Sequence, residues 1–323
     1  MAPDADMAAY PRRRYGMDHE RYDWQMLAHR PTPPWPGDKQ LALWVNVSLQ
    51  FFPMNPASKT RLPGSMTMPY PDLRHFTLRD YGNRVGIYRF FEAFDHHGVK
   101  PTVAMNARLA ERHPYLLERV LARGDELVAH GWDMDSPHVA PLAPEAEAEL
   151  VRRSLGRLRE LSGQPVRGWL GPGRLETAVT PDLIAAEGID YFCDWVNDDM
   201  PYRFRTAAGS LWAMPLSNEL DDRFVLMDNL HSAESWMEQV MDACDLLLAE
   251  ARAAGGGRIL ALSVHPWMLG QPHRIGYLER ALAYIMGQDG VWSATAGEIV
   301  DAFAARSGVE PAAAIDSGNN TSV

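Results

Sequence analysis

The sequence predicts an α/β fold, a (β/α) barrel of seven or eight units, on three observations. Short apolar runs alternate with amphipathic helical patterns through most of the 323 residues, which is the order of elements that builds a parallel sheet. No Gly-x-Gly-x-x-Gly or Walker A loop follows the first strand, so a doubly wound nucleotide-binding sheet is disfavoured. Strand after strand ends in a polar or ionisable side chain, and barrels carry their chemistry at the carboxyl ends of their strands.

Taken in order, residues 1–37 read as an extended N-terminal arm. Pro11, Pro31, Pro33, Pro34 and Pro36 rule out regular structure there, while Tyr22, Trp24 and Trp35 give it something to pack with. The barrel follows as one domain over residues 38–306. Strands are predicted at 41–48, 100–105, 126–129, 166–170, 190–194, 211–216, 258–264 and 291–293, each a β-branched or aliphatic run bounded by turn formers. The spacing predicts helices over 83–96, 107–122, 144–161, 181–187, 233–253 and 274–286. A last helix begins at the capping box Thr295-Ala296-Gly297-Glu298. The proline-rich stretch 51–81 reads as a long loop at the mouth of the barrel, and 307–323, small and polar, as a disordered tail.

Composition narrows the function. An apolar content of 46% is ample for a large core, and a net charge of −11 argues against a nucleic-acid or anionic-membrane partner, which would need a basic face. Cys193 and Cys244 are too few for a disulfide scaffold or a cysteine metal site. Neither a signal-peptide pattern nor an unbroken apolar run of membrane-spanning length is present, so the expectation is a cytoplasmic protein acting on a small-molecule substrate.

The strand ends gather the candidate chemistry. They offer Gln50; Asn106; His130, Trp132, Asp133, Asp135 and His138; Gly171-Pro172-Gly173-Arg174; Asp194, Asp198 and Asp199; Asn218, Glu219, Asp221 and Asp222; and His265 with Trp267. His130 and His265 form the best acid–base pair, because histidine both donates and accepts near neutrality. Asp194, Asp198 and Glu219 are candidate bases or orienting carboxylates, although Asp198-Asp199 also reads as a turn. Gln50, Trp132, Trp169, Arg174, Asn218 and Trp267 are candidates to hold a planar polar substrate. If a divalent metal such as zinc is bound, its ligands would come from His130, His138, Asp133 and Asp135. The default is no cofactor.

These segments resemble the NodB-type polysaccharide deacetylase superfamily, most closely the cytoplasmic branch with the metal-independent allantoinases. The likeness is carried by Asp80-Tyr81-Gly82-Asn83-Arg84-Val85-Gly86, Glu126-Leu127-Val128-Ala129-His130-Gly131, Arg167-Gly168-Trp169-Leu170, Trp195-Val196-Asn197-Asp198-Asp199-Met200-Pro201-Tyr202, and the segment from His265 to Ile275. It implies a distorted seven- or eight-stranded barrel, hydrolysis of a non-peptide carbon–nitrogen bond, a homo-oligomer (tetramer or dimer), and His265 as general acid. The metal-dependent members carry a first-strand Asp pair and a second histidine shortly after the first. Here no Asp or Glu occurs between Lys39 and Pro71, and Met134 stands four residues after His130. The expected activity is therefore hydrolysis of an amide, ureide or cyclic imide. A metal-dependent deacetylase of N-acetylated sugars and a catalytically silent ligand-binding barrel are the alternatives.

Overall fold

The computed structural model describes residues 19–57 and 71–309. Nine strands form one curled sheet in the order β6-β7-β5-β4-β3-β2-β1-β8, with β9 beside the start of β1. They are β1 Leu41–Leu49, β2 Pro101–Met105, β3 Glu126–Ala129, β4 Gly168–Trp169, β5 Tyr191–Phe192, β6 Tyr202–Thr206, β7 Gly209–Ala213, β8 Arg258–Val264 and β9 Val291–Ser293. All pairings are parallel except that of β6 with β7. β8 and β6 end the order without pairing to each other. The sheet is thus a barrel left open along one seam, the distorted form expected.

The alternation of the pleat sorts each strand into two faces. Leu41, Leu43, Val45, Val47 and Leu49 of β1 join the outer core beneath the helices, as do Leu260, Leu262 and Val264 of β8. The intervening residues face the barrel interior, where Ala42, Trp44, Ala104, Val128, Ile259 and Ala261 form a second core with Trp35. The floor of this interior is also polar, and fully bonded. Trp44 donates to Thr102, Thr102 donates to Glu126, and Glu126 also accepts from the Tyr191 hydroxyl and the amide of Gly297. Continuing each inward row toward the carboxyl end gives Asn46, Ser48 and Gln50 on β1, His130 after β3, and Ser263 then His265 on β8. One apolar plug therefore carries the polar groups above it.

Three elements differ from the sequence reading. Strand β6 was not expected. Its Tyr, Arg, Phe and Thr alternate only weakly, and it exists as the partner of β7 across a turn closed by Gly209 at φ 123°. The helix expected at 83–96 begins earlier. Helix α1, Leu73–Tyr81, is capped by the Asp72 side chain on the amide of His75 and passes through a π turn, Gly82–Gly86, into α2, Ile87–His97. The helix expected at 107–122 breaks at His113-Pro114 into α3, Ala107–Arg112, and α4, Pro114–Arg123, because proline cannot continue the helical ladder. The remaining helices are α5 Pro144–Ser162, α6 Thr180–Ala186, α7 Ala233–Ala254, α8 Ile275–Met286 and α9 Ala296–Ser307. The capping box at Thr295 forms as read.

Residues 19–37 lie against the barrel. Arg21 makes a two-pronged pair with Asp182, and the buried Trp35 donates to the carbonyl of Arg258. The first eighteen residues and the tail beyond 309 lie outside the described residues. Among the described residues no helix is long and apolar enough to cross a membrane.

The π turn explains the Gly82 and Gly86 spacing. A Cβ on Gly82 would sit 2.5 Å from the amide nitrogen of Trp267, and one on Gly86 2.0 Å from the carbonyl oxygen of Pro266. The helix thus lies flush on the loop that holds His265. Substituting Gly86→Ala should cost about 1–3 kcal/mol through this overlap, read as a lower urea midpoint. An unchanged midpoint would mean that the two segments do not touch.

Candidate active site

The carboxyl ends of the strands surround a cavity of about 470 Å³. Its wall includes Ser48, Gln50, Arg79, His130, Arg174, Asn218, Asp221, Arg223, Asp228, Ser263 and His265, closed on the apolar side by Phe52, Met134, Leu170, Leu175 and Phe224.

His265 is fixed by a carboxylate. Asp222 accepts from the His265 backbone amide at 2.8 Å with one oxygen and pairs with ring Nδ1 at 2.6 Å with the other. Both groups are buried. Burial pushes the Asp222 carboxyl up from its usual range against the opposing charge of His265. With Nδ1 committed to Asp222, Nε2 is the nitrogen left for the cavity.

His130 is held differently. Its Nδ1 lies 2.7 Å from the carbonyl oxygen of Leu170, which accepts only, so Nδ1 carries the proton. Nε2 must then accept, and the Gln50 amide nitrogen stands 3.3 Å from it. Burial lowers the His130 pKa to about 4. A neutral His130 with Nε2 as acceptor cannot polarise a carbonyl. The arrangement instead turns the Gln50 carbonyl oxygen free as an acceptor.

Arg174 sits at φ 56°, after Gly173, and reaches across the mouth. Its Nη1 donates to the carbonyl of Leu216 at 3.0 Å and to the Asn218 side chain, and Nη2 pairs with Asp221 at 2.9 Å. Asp221 also accepts from the amides of Arg223 and Phe224. Burial opposes its ionisation, but His265 and Arg174 outweigh that and hold its pKa below the usual range.

The structure gathers His130, His265, Gln50, Arg174, Asn218 and Asp221 in one cavity, and leaves Asp194, Asp198, Glu219 and the candidate tryptophans outside its lining. Asp194 spends both oxygens on the amide of Gly171, bracing the turn that presents Arg174. Burial raises Asp194 to about 7, and burial with the charge of Asp194 raises neighbouring Glu176 to about 8. Asp198 pairs with Arg30, caps the amide of Met200, and lines a separate cavity with Tyr22 and Arg205. Glu219 is exposed. The tryptophans are wall-backing rather than wall: Trp169 packs edge-on to His138, Trp132 lies under Arg153, and Trp267 lies under Arg79. Strand-end position alone cannot separate these inward and outward side chains.

The expected metal ligands do not converge. His130 is bonded as above, His138 pairs with Glu147 at 3.0 Å, Asp133 with Arg108 at 2.7 Å, and Asp135 accepts from the amide of Ala57. Among the described residues, Asp221, Asp222 and His265 form the one group whose donor atoms lie close enough for a common ion, within 4.8 Å. Both carboxylates are taken by backbone amides, by His265 and by Arg174, which leaves His265 Nε2 as the uncommitted atom of the group, and Arg79 and Arg223 share the cavity. Two bonded carboxylates beside three guanidinium groups fit a cation poorly.

Asp222, Arg79 and Arg223 were not singled out as site residues from the sequence. Asp222 was visible within Asn218-Glu219-Leu220-Asp221-Asp222, but the row does not say which carboxylate turns inward. Arg79 was hidden because its helix was read as loop.

Comparison with known proteins agrees with this geometry. Residues 79–192 match the family model for polysaccharide deacetylase. A Schizosaccharomyces pombe protein named "Putative polysaccharide deacetylase" is 24% identical over 304 residues, covering 85% of this chain and 93% of the relative. A crystal structure of PuuE allantoinase superposes with a TM-score of 0.76 at 23% identity, covering 89% of this chain and all of that one (100%). A Pseudomonas aeruginosa PAO1 crystal structure titled as a probable polysaccharide deacetylase gives 0.74 at 24% identity, covering 87% and 96%. At these identities the superpositions speak for the barrel.

The His130 environment has a pH signature. Its folded pKa, about 4, lies below the unfolded value of 6.5, so its stabilising contribution is complete above pH 6.5 and is lost as pH falls toward 4. Relative to His130→Asn, the wild-type protein should lose about 1.4 kcal/mol per pH unit across that window. Urea titrations of both proteins at several pH values measure it. A constant difference would show that His130 titrates alike in both states.

Proposed function

We propose that the chain hydrolyses a non-peptide carbon–nitrogen bond in a small amide, ureide or cyclic imide, with His265 as the proton carrier and no bound metal. The observation that carries this reading is the Asp222 clamp on His265, which occupies Nδ1 and leaves Nε2 for the cavity. An Asp that fixes the histidine tautomer and steadies its imidazolium is a recurrent device of hydrolases.

The chemistry balances with water alone. Water oxygen attacks the carbonyl carbon while Nε2 of His265 takes a proton. The tetrahedral intermediate then collapses, the carbon–nitrogen bond breaks, and Nε2 returns that proton to the leaving nitrogen. The Gln50 oxygen accepts from the attacking water or from a substrate N–H. Hydrogen-bond donors of Arg174 and Arg223 that are not spent on Asp221 and Asp228 would favour the developing oxyanion. Asp194 acts at one remove, by holding the turn under Arg174.

Support for a metal-free site is that Asp221 and Asp222 already spend their oxygens on backbone amides, Arg174 and His265, with three guanidinium groups in the same wall. The deacetylase names among the relatives point to acetamides as one substrate class, and the allantoinase fold neighbour to ureides and cyclic imides as another. A turnover screen over allantoin, hydantoins, cyclic imides and N-acetylglucosamine oligomers separates them.

On the substrate so found, His265→Ala should lower kcat by at least about 100-fold. Asp222→Asn, which keeps the shape but frees the tautomer, should also lower it by about 100-fold or more. Undiminished turnover in His265→Ala would remove the histidine from the mechanism. Activity should survive exhaustive chelation; loss on chelation with recovery on adding one equivalent of zinc would reverse the metal-free reading.

A further inference from the structure

Arg79 is the one arginine of the cavity wall that makes no direct ion pair with a described residue, although the charges of Asp222 and Asp228 reach it from farther off. Arg174 is paired with Asp221 at 2.9 Å and Arg223 with Asp228 at 3.1 Å, whereas Arg79 has no carboxylate within ion-pair distance. Only 3% of its surface is exposed. Its guanidinium is clamped between the Trp267 ring at 3.4 Å and the Phe52 ring at 4.8 Å. Nε and Nη2 both donate to Nε2 of His75, a neutral acceptor whose pKa burial and Arg79 lower to about 4. Nη1 makes no bond to a described residue, and the side chain lines the cavity beside His265. The adjoining stretch 58–70 contains Lys59 and Arg61 but no Asp or Glu, so its composition supplies no counter-ion.

A buried, rigidly stacked guanidinium with no carboxylate in direct contact gains most from an anion that arrives to meet it. Arg79 and His265 line the same cavity and flank the same Trp267 ring, so an anion held by Arg79 shares the cavity with the proton carrier. We propose that Arg79 is the receptor for a carboxylate borne by the substrate, so that the enzyme prefers acidic amides or imides over their neutral counterparts. This rests on the C–N hydrolase reading for its choice of substrate class. The rigid fork suits a planar carboxylate better than a lysine ammonium would.

The test is binding, independent of turnover. Calorimetric titration compares hydantoin-5-acetic acid with hydantoin-5-acetamide, and N-acetylglycine with N-acetylglycinamide, on wild-type protein. In at least one series the acid should bind at least about 10-fold more tightly than its isosteric amide. Arg79→Gln should bring that ratio to about 1, and Arg79→Lys should retain part of it. The wild-type ratio stands even if a variant does not fold. Equal binding of acid and amide in both series, binding of none of the four, or a preference that survives Arg79→Gln overturns the proposal. Turnover of neutral amides without acid preference would sink the carboxylate receptor and leave the hydrolase reading intact. Acid preference with no turnover of any compound would do the opposite.

Discussion

The pleat of the parallel strands is the constraint on which everything else hangs. Because inward and outward side chains alternate with period two, each strand must satisfy two environments at once. β1 does so with Leu41, Leu43, Val45, Val47 and Leu49 toward the helices and Ala42, Trp44, Asn46, Ser48 and Gln50 toward the interior. A slip by one residue would bury the polar row under the helices and empty the cavity of its chemistry. Register is therefore both a folding requirement and a catalytic one.

Above that scaffold the cavity is set by fixed charges rather than by free ones. Asp222 exists to hold His265, Asp194 to hold the Gly171 turn, and Leu170 to set the tautomer of His130. Each is a group that sequence position made conspicuous, or nearly so, and that geometry moved one step away from the reacting atoms. His265 Nε2 is thereby left facing a cavity whose wall holds three guanidinium groups.

The barrel was legible because long strands such as β1 and β8 and long helices such as α5 and α7 write their periodicity plainly. His130 and His265 were legible because each directly follows an apolar strand run. What was lost lay in composite elements. β6 depends on its neighbour, and α1 hides in a proline-rich stretch until the Asp72 cap is seen. Losing α1 meant losing Arg79. The tryptophans misled for a related reason. A strand-end aromatic can face the cavity or back it, and Trp132, Trp169 and Trp267 all back it, two of them as platforms for arginines. The ligand set proposed for a metal failed because loop residues close in sequence found four separate partners.

The floor network of Trp44, Thr102, Glu126 and Tyr191 has a bearing on traffic. With Trp35, Trp44 and Tyr191 fully buried, the interior below the cavity is filled by side chains, so a ligand meets the cavity from the carboxyl-end face. A reaction fragment still held there would stand where the next substrate must go, and would compete with it for the same place.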